Sequence, residues 1–279
     1  MFSAESSGAP LNAPLDMASD SSGNIYVADT ANHRILVFGP DGTFSFKFGK
    51  MGDKRGQFKS PCGLFIDTKN NIWIADTLNN RIQQFNSRGR HILTVDSPAE
   101  SPLKNPKDVA IDSKGRIYVV DSYNHCVKRF DPIGKSLEKI IGKQDFTPGN
   151  GKGEFNKPDG ITIDSLDNKY IVDTRNMRVQ IFDADDSFKF EIRQKGDFGS
   201  LLGPTKICLD NKGFIYIVDC GQIPLVKFDS QGKFTTRVGE LGRGQRGKLT
   251  LPSGVAVLSE NKLAVIDRHL GNIQIFSKK

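Results

Sequence analysis

The chain has 279 residues, with 39 basic and 32 acidic side chains giving a formal charge of +7. No apolar run approaches the ~18 residues of a membrane-spanning helix, and no apolar segment near the N-terminus marks a secretory signal. The charge balance suits an anionic partner without demanding one.

The clearest unit lies at residues 61–95. Its apolar runs Leu64–Asp67, Ile72–Ala75, Ile82–Phe85 and His91–Val95 are separated by Asn, Gly, Lys and Ser. Short β-branched and aromatic runs cut by turn residues predict a four-stranded meander. The chain is that unit repeated. In chain order the copies open at Pro14, Pro61, Pro106, Pro158, Pro204 and Pro252, and their second strands end at Asp29, Asp76, Asp121, Asp173, Asp219 and Asp267. Those strands read IYVAD, IWIAD, IYVVD, KYIVD, IYIVD and LAVID. Four-stranded units repeating roughly every 45–52 residues, with no helical periodicity, predict an all-β fold: a six-bladed β-propeller of four-stranded antiparallel blades occupying residues 1–279 as a single domain. The last copy stops at its third strand, Ile273–Phe276, so residues near Phe2–Ala4 are expected to supply the fourth and close the ring.

The only tryptophan, Trp73, is not followed by aspartate, and no glycine pairs recur, which excludes WD-type and kelch-type blades. What recurs is P-x-[GD]-[VIF]-x-[VI]-D followed by x-I-x-[VI]-[AV]-D-[ST]-x-N-x-R-[IV]-x-x-F, clearest at 28–38, 75–85 and 172–182. This resembles the NHL-repeat family over residues 11–276. Blades 5 and 6 depart from the motif, with Cys220-Gly221-Gln222-Ile223-Pro224 and Arg268-His269-Leu270-Gly271 in place of its turn.

Calling the four strands of a blade a to d, antiparallel alternation puts the b–c turns and the blade-to-blade loops on one face of the ring. Those loops are basic: Lys50, Lys54, Arg55 and Lys59; Lys143, Lys152 and Lys157; Arg243, Arg246 and Lys248. Their acids are fewer: Asp53, Asp145, Glu154 and Glu240. The opposite face carries Asp41 and the acidic turn Asp183, Asp185, Asp186, partly offset by Arg88 and Arg90. Such asymmetry is the electrostatic footprint of a nucleic-acid binder, or else a solvated basic rim. Interleaved glycines would make these loops mobile enough to wrap a flexible strand, or merely long and tolerated. Tyr123 at an exposed turn suits base stacking. Asn32, Asn79 and Asn124 either read base edges or serve as turn residues.

Catalysis is the weaker expectation. The second-strand aspartates are expected to pair Arg34, Arg81 and Arg178 and to cap turns rather than react. His33, His125 and His269 sit on separate turns, too far apart for one zinc ion. Asp16, Asp108 and Asp159 point either to a hard-cation site or to a solvated channel rim. No G-x-S-x-G, Walker or H-E-x-x-H pattern occurs, and no cofactor or metal is expected. Cys62, Cys126, Cys208 and Cys220 lack C-x-x-C spacing and read as free thiols of a reducing, cytoplasmic compartment. Met1 opens almost directly onto the first repeat, as an excised fragment of a longer protein would.

Within the family the chain is similar to the C-terminal propellers of tripartite-motif (TRIM-NHL) proteins, which implies a monomeric propeller binding uridine-rich single-stranded RNA in messenger untranslated regions. Carried over by position, the RNA face comprises Asn32, His33, Asn79, Tyr123, Asn124, His125, Arg175, Asn176, Arg268 and His269, with Lys107, Lys157 and Lys206 beside the opening prolines. Some such propellers have aromatic residues before those prolines. Here Ala13, Ser60, Asn105, Lys157, Gly203 and Leu251 stand there, so base stacking at those pockets does not carry over. The alternative function is a protein-interaction platform recruiting substrates to a ubiquitin ligase, with regulatory proteins as partners. Neither reading involves a membrane.

Overall fold

Each run of β-branched and aromatic residues pairs with the next in sequence. The outcome, in a computed structural model, is a six-bladed propeller of four-stranded antiparallel sheets. The structure describes residues 2, 3, 10–95, 97–193, 200–221, 225–242, 245, 247–259 and 262–277. Blade 1 consists of strands Asp16–Ser19, Ile25–Asp29, Arg34–Phe38 and Phe44–Phe48, and blade 2 of Pro61–Ile66, Ile72–Asp76, Arg81–Phe85 and His91–Val95. Blades 3, 4 and 5 start at Pro106–Ile111, Gly160–Ile163 and Pro204–Leu209. Strand a of blade 2 begins three residues earlier than its apolar run suggests. Pro61 itself pairs opposite Asp76 across a register shift, and proline is tolerated at a strand's first residue. Blade 6 contributes Pro252–Ser259, Lys262–Asp267 and Asn272–Ser277, and Phe2–Ser3 pairs with the last of these, Phe2 opposite Ile273. Ala4 lies outside the described residues.

The core is six apolar clusters, one per seam between neighbouring blades, because each strand presents one face to either neighbour. The seam between blades 6 and 1 joins Ile25, Val27 and Leu36 to Ala264 and Ile266. Every seam receives a buried apolar residue from the loop entering the later blade: Leu11, Phe58, Leu103, Phe155, Leu201 and Leu249, each three residues before an opening proline. Phe58 and Phe155 are fully buried.

The second-strand aspartates fasten these loops. Asp29, Asp76, Asp121 and Asp173 accept from the backbone N–H of Asn12, Lys59, Lys104 and Asn156 at 2.7–2.8 Å. Asp219 and Asp267 do the same for Leu202 and Thr250. The other carboxylate oxygen of Asp29, Asp76 and Asp173 takes Nε of Arg34, Arg81 and Arg178 at 2.7–2.8 Å, the pairing expected from the sequence. Blade 3 lacks that arginine, and Lys128, seven residues after Asp121, reaches it instead at 2.7 Å with both groups fully buried. Thr30 and Thr77 then donate to the carbonyls of the next blades' opening prolines, Pro61 and Pro106.

Asp173→Ala is expected to cost about 1–3 kcal/mol, because it leaves the almost fully buried Arg178 with Glu191 as its one remaining carboxylate partner and releases the loop at Asn156. The urea midpoint reads this out. A loss below about 1 kcal/mol would show that the blade does not depend on the clasp.

Candidate nucleic-acid interface

The b–c turns and blade-to-blade loops do share a face. Strand a opens beside the end of strand b, with Pro61 opposite Asp76, and strand c opens beside the end of strand d, with Cys126 opposite Gly142. On that face Lys50, Lys54, Arg55, Lys104, Lys152, Lys157, Arg175 and Arg268 are exposed, against exposed Asp53, Glu100, Asp145 and Glu240. Arg243 and Arg246 lie outside the described residues. The opposite face exposes a comparable set of cations, Lys69, Arg88, Arg90, Lys114, Lys135, Lys212, Lys233 and Lys262, against exposed Asp41 and Asp185, so exposed positive charge is not confined to one rim as the sequence suggested, and Asp186 is not part of an open acidic turn. It is buried among Arg129, Lys139 and Lys169 in the seam of blades 3 and 4, and those cations hold its carboxyl below the usual range against the opposing effect of burial.

The glycine-bearing loops are fastened rather than loose. Arg81 donates to the carbonyls of Asp53, Lys54 and Gln57, and Gln83 both donates to Gln57 O and accepts from Gly56 N. Arg178 and Gln180 grip Gly151, Glu154 and Gly153 in blade 4 the same way. In blade 6 Gln274 holds Lys248 and Gly247. Gly56, Gly153 and Gly247 have φ of +74°, +76° and +85°, a backbone region where a side chain would be strained. The basic side chains therefore project from fixed loops.

Each b–c turn, Thr30–Asn32, Thr77–Asn79, Ser122–Asn124 and Thr174–Asn176, is one turn of 3₁₀ helix closed by a left-handed residue. The candidate asparagines are turn locks. The amide nitrogens of Asn32, Asn79, Asn124 and Asn176 donate both to the blade's aspartate and to a loop carbonyl, those of Pro10, Gly52, Pro102 and Gly149. The left-handed residue clasps the next blade: His33 Nδ1 accepts from Ser60 N, Asn80 Oδ1 from Asn105 N, and His125 Nδ1 from Lys157 N, at 2.8–3.0 Å. Both histidines therefore carry their neutral-state proton on Nε2. Burial and the Lys157 ammonium push His125 below its ordinary value.

What each turn leaves free is its second residue. Ala31, Leu78, Tyr123 and Arg175 are all exposed, Leu78 at 58% and Tyr123 at 48%. Tyr123 and Arg175 were legible from sequence. Ala31 and Leu78 were not, although a fixed offset of two from the aspartate would have found them. The Lys157 ammonium lies 4.9 Å from the Tyr123 ring centroid, leaving the other ring face open. Arg268 and His269 are exposed at the blade 6 turn, and Lys107 is half-buried with Nζ 3.9 Å from Cys62 Sγ.

Lys206 is not on this face. It is 5% exposed, with Nζ 3.0 Å from Asp16 and 3.0 Å from Asp108. All three residues stand two places after an opening proline, and the six blades present Asp16, Gly63, Asp108, Gly160, Lys206 and Gly254 there. A Cβ at Gly63 would lie 2.4 Å from Lys107 O, and one at Gly160 2.7 Å from Thr205 O, so the glycines let charged neighbours close in. The ammonium thus fills the space between the carboxylates considered for a hard cation. Burial raises Asp16 and lifts Asp108 to about 7 despite the lysine, while the two carboxylates raise Lys206 and keep it protonated. A lysine held protonated is no nucleophile.

The sequence profile of the NHL repeat matches residues 11–38 and 103–130. The chain thus carries NHL repeats, and it is homologous, at modest identity, to two TRIM-NHL proteins. It is 28% identical to protein brain tumor of Drosophila melanogaster over 130 residues, 46% of this chain and 12% of that one. It is likewise 28% identical to the B-box type zinc finger protein ncl-1 of Caenorhabditis elegans, covering 29% of this chain and 15% of that one. A third relative is peptidyl-glycine alpha-amidating monooxygenase of Mus musculus, 28% identical over 155 residues, 48% of this chain and 15% of that one. The chain spans only 12–15% of the length of these relatives. Among solved structures, a streptogramin B lyase superposes with a TM-score of 0.67 over 97% of this chain and 85% of that one, at 13% identity, which speaks for the fold alone. No helix among the described residues is long and apolar enough to cross a membrane.

Removing the axial ammonium tests the buried tier. In the native chain the raised carboxyl pKa values mean that stability is highest below the unfolded value and falls as pH rises through about 7. Lys206→Met leaves two buried carboxylates uncompensated, so it is expected to cost about 3–5 kcal/mol at pH 8 and distinctly less at pH 5.5, below the raised Asp108 value, where protonation removes charge from the pair. Urea midpoints at the two pH values measure the difference, and an equal loss at both would place the lysine's contribution elsewhere.

Proposed function

We propose that this propeller binds single-stranded RNA across the face carrying its b–c turns and blade-to-blade loops, and serves as the targeting domain of a post-transcriptional regulator. The observation that carries the reading is the pairing of exposed Tyr123 with Lys157 among the exposed cations that stand on fixed loops of that face. Cations aligned on a rigid rim attract a phosphate backbone, and an aromatic ring with one open face stacks a base of a flexible strand. Similarity to TRIM-NHL propellers supports uridine-rich sequences in messenger untranslated regions as the target and a cytoplasmic setting. Within the face, Tyr123, Lys157 and Arg175 would meet RNA directly, with Arg268, His269 and Lys107 extending the surface. His33 and His125 would offer Nε2–H as neutral donors. Asn32, Asn79, Asn124 and Asn176 would act by holding the turns. Lys206, enclosed at the axis, would not touch RNA.

One observation favours a second reading, a protein-docking platform such as one recruiting ubiquitination substrates. Met51 is 68% exposed and Leu78 58%, on a loop and a turn that the Asn79 amide ties together at Gly52. An apolar pair of this kind suits a protein partner better than a phosphate backbone.

Titration of short oligouridine and a random RNA pool at two ionic strengths separates the two. RNA binding predicts a log–log salt slope of about −0.7 per phosphate neutralised. It also predicts at least a tenfold loss (about 1.4 kcal/mol) in Tyr123→Ala/Arg175→Glu with an unchanged melting temperature. Salt-independent binding, or no loss in that double variant, would overturn the RNA assignment.

A further inference from the structure

Beyond the axial tier lies a second space. Four places after the opening prolines, the inner strands carry Ala18, Phe65, Ala110, Thr162, Cys208 and Ala256, so only one blade sends a large side chain there. Small residues around the axis leave a cavity of about 210 Å³ with Asp16, Asp108 and Lys206 at one end. Phe65 and Ile66 line both this cavity and a cleft of about 520 Å³ at the a–b turns of blades 2, 3 and 4, where Asn71, Ser113 and Ser165 contribute to the rim. The charged end of the cavity lies nearer the basic face, and the other end adjoins the cleft on the opposite one.

The chemistry at the closed end is specific. Asp16 accepts from the N–H of Met17 and Leu64, and Asp108 from those of Val109 and Ile161. With the ammonium each carboxylate has three partners, and a carboxylate offers about four acceptor positions. The Lys206 ammonium lies 3.0 Å from both carboxylates, and of its three N–H donors one is left over for a further acceptor. A cation entering here would be opposed by Lys206 and an anion by two carboxylates. An apolar molecule would leave all three groups unsolvated. A hydroxyl fits, because it donates to a carboxylate and accepts from an ammonium at once. The Thr162 side chain and the aliphatic walls at Ile207, Leu209 and Val257 suit a molecule with hydroxyl edges and C–H faces. At roughly 30 Å³ per water, the volume matches about seven waters, or a compact solute of similar heavy-atom count.

We propose that the axial channel binds a small neutral polyhydroxylated molecule, a short polyol or small sugar, entered from the face opposite the basic one. The proposal is independent of RNA binding, since the ligand lies on the other side of the tier. Saturation-transfer NMR and calorimetry on the intact chain with glycerol, erythritol, xylitol and ribose test it, with acetate and methylammonium as charged controls. At least one polyol is expected to bind, the controls not, and Thr162→Leu, which fills the cavity and leaves the tier in place, is expected to weaken binding about tenfold or more. Ala256→Val serves the same purpose should the leucine variant fail to fold. No transfer from any polyol up to about 100 mM would overturn the proposal. So would equal thermal stabilisation of native and filled proteins, which is general solute exclusion.

Discussion

A buried carboxylate at the end of each second strand organises this ring. The six aspartates are at most 3% exposed, and each receives the backbone N–H of the loop that enters its own blade. In blades 1 to 4 the same group gathers the turn asparagine and an arginine or lysine. Burying a charge is tolerable only when its lone pairs are filled, and here the fillers are the loops and turns that form the candidate face. The surface inherits its rigidity from this arrangement. Side chains that would look available for recognition are consumed in holding the backbone, and specificity is left to the residues standing clear of the clasps.

The two faces consequently differ in kind. One is a rim of fixed loops bearing lysine and arginine, with a tyrosine under an ammonium. The other is a set of a–b turns in which aspartates accept from Tyr26, Trp73, Tyr170 and Tyr216 at about 3 Å, so its acids are largely occupied. Between them, at the axis, stands the buried Asp16–Lys206–Asp108 tier.

The repeat, the blade count and the aspartate–arginine pairs were legible because they sit at fixed sequence offsets. The aspartates' grip on the loop was less so, since its partner is a backbone N–H seventeen residues upstream, which no side-chain pattern reports. The asparagines illustrate a deeper limit: Asn32 and Asn124 look alike whether they read a base or tie a turn, and only the distances to Pro10, Pro102 and the aspartates decide. Lys206 stands close to an opening proline in sequence but not at the rim, because two residues along an inner strand already point a side chain inward. The apolar residue three places before each proline was visible in the sequence, but loops that read as basic and glycine-rich hid it.

Charge at the axis alternates with glycine, and loops gripped by a glutamine, Gln83, Gln180 or Gln274, alternate with loops that have none, the blade 3 loop being held by Lys128 instead. The ring is therefore better described as three tandem double blades than as six equal ones, with rotation by a third of a turn as its natural symmetry. Strict threefold repetition would place the same ionic group at the centre three times over, and three like charges out of reach of water repel. Lysine in the third copy spoils the symmetry and, by doing so, lets the hub close.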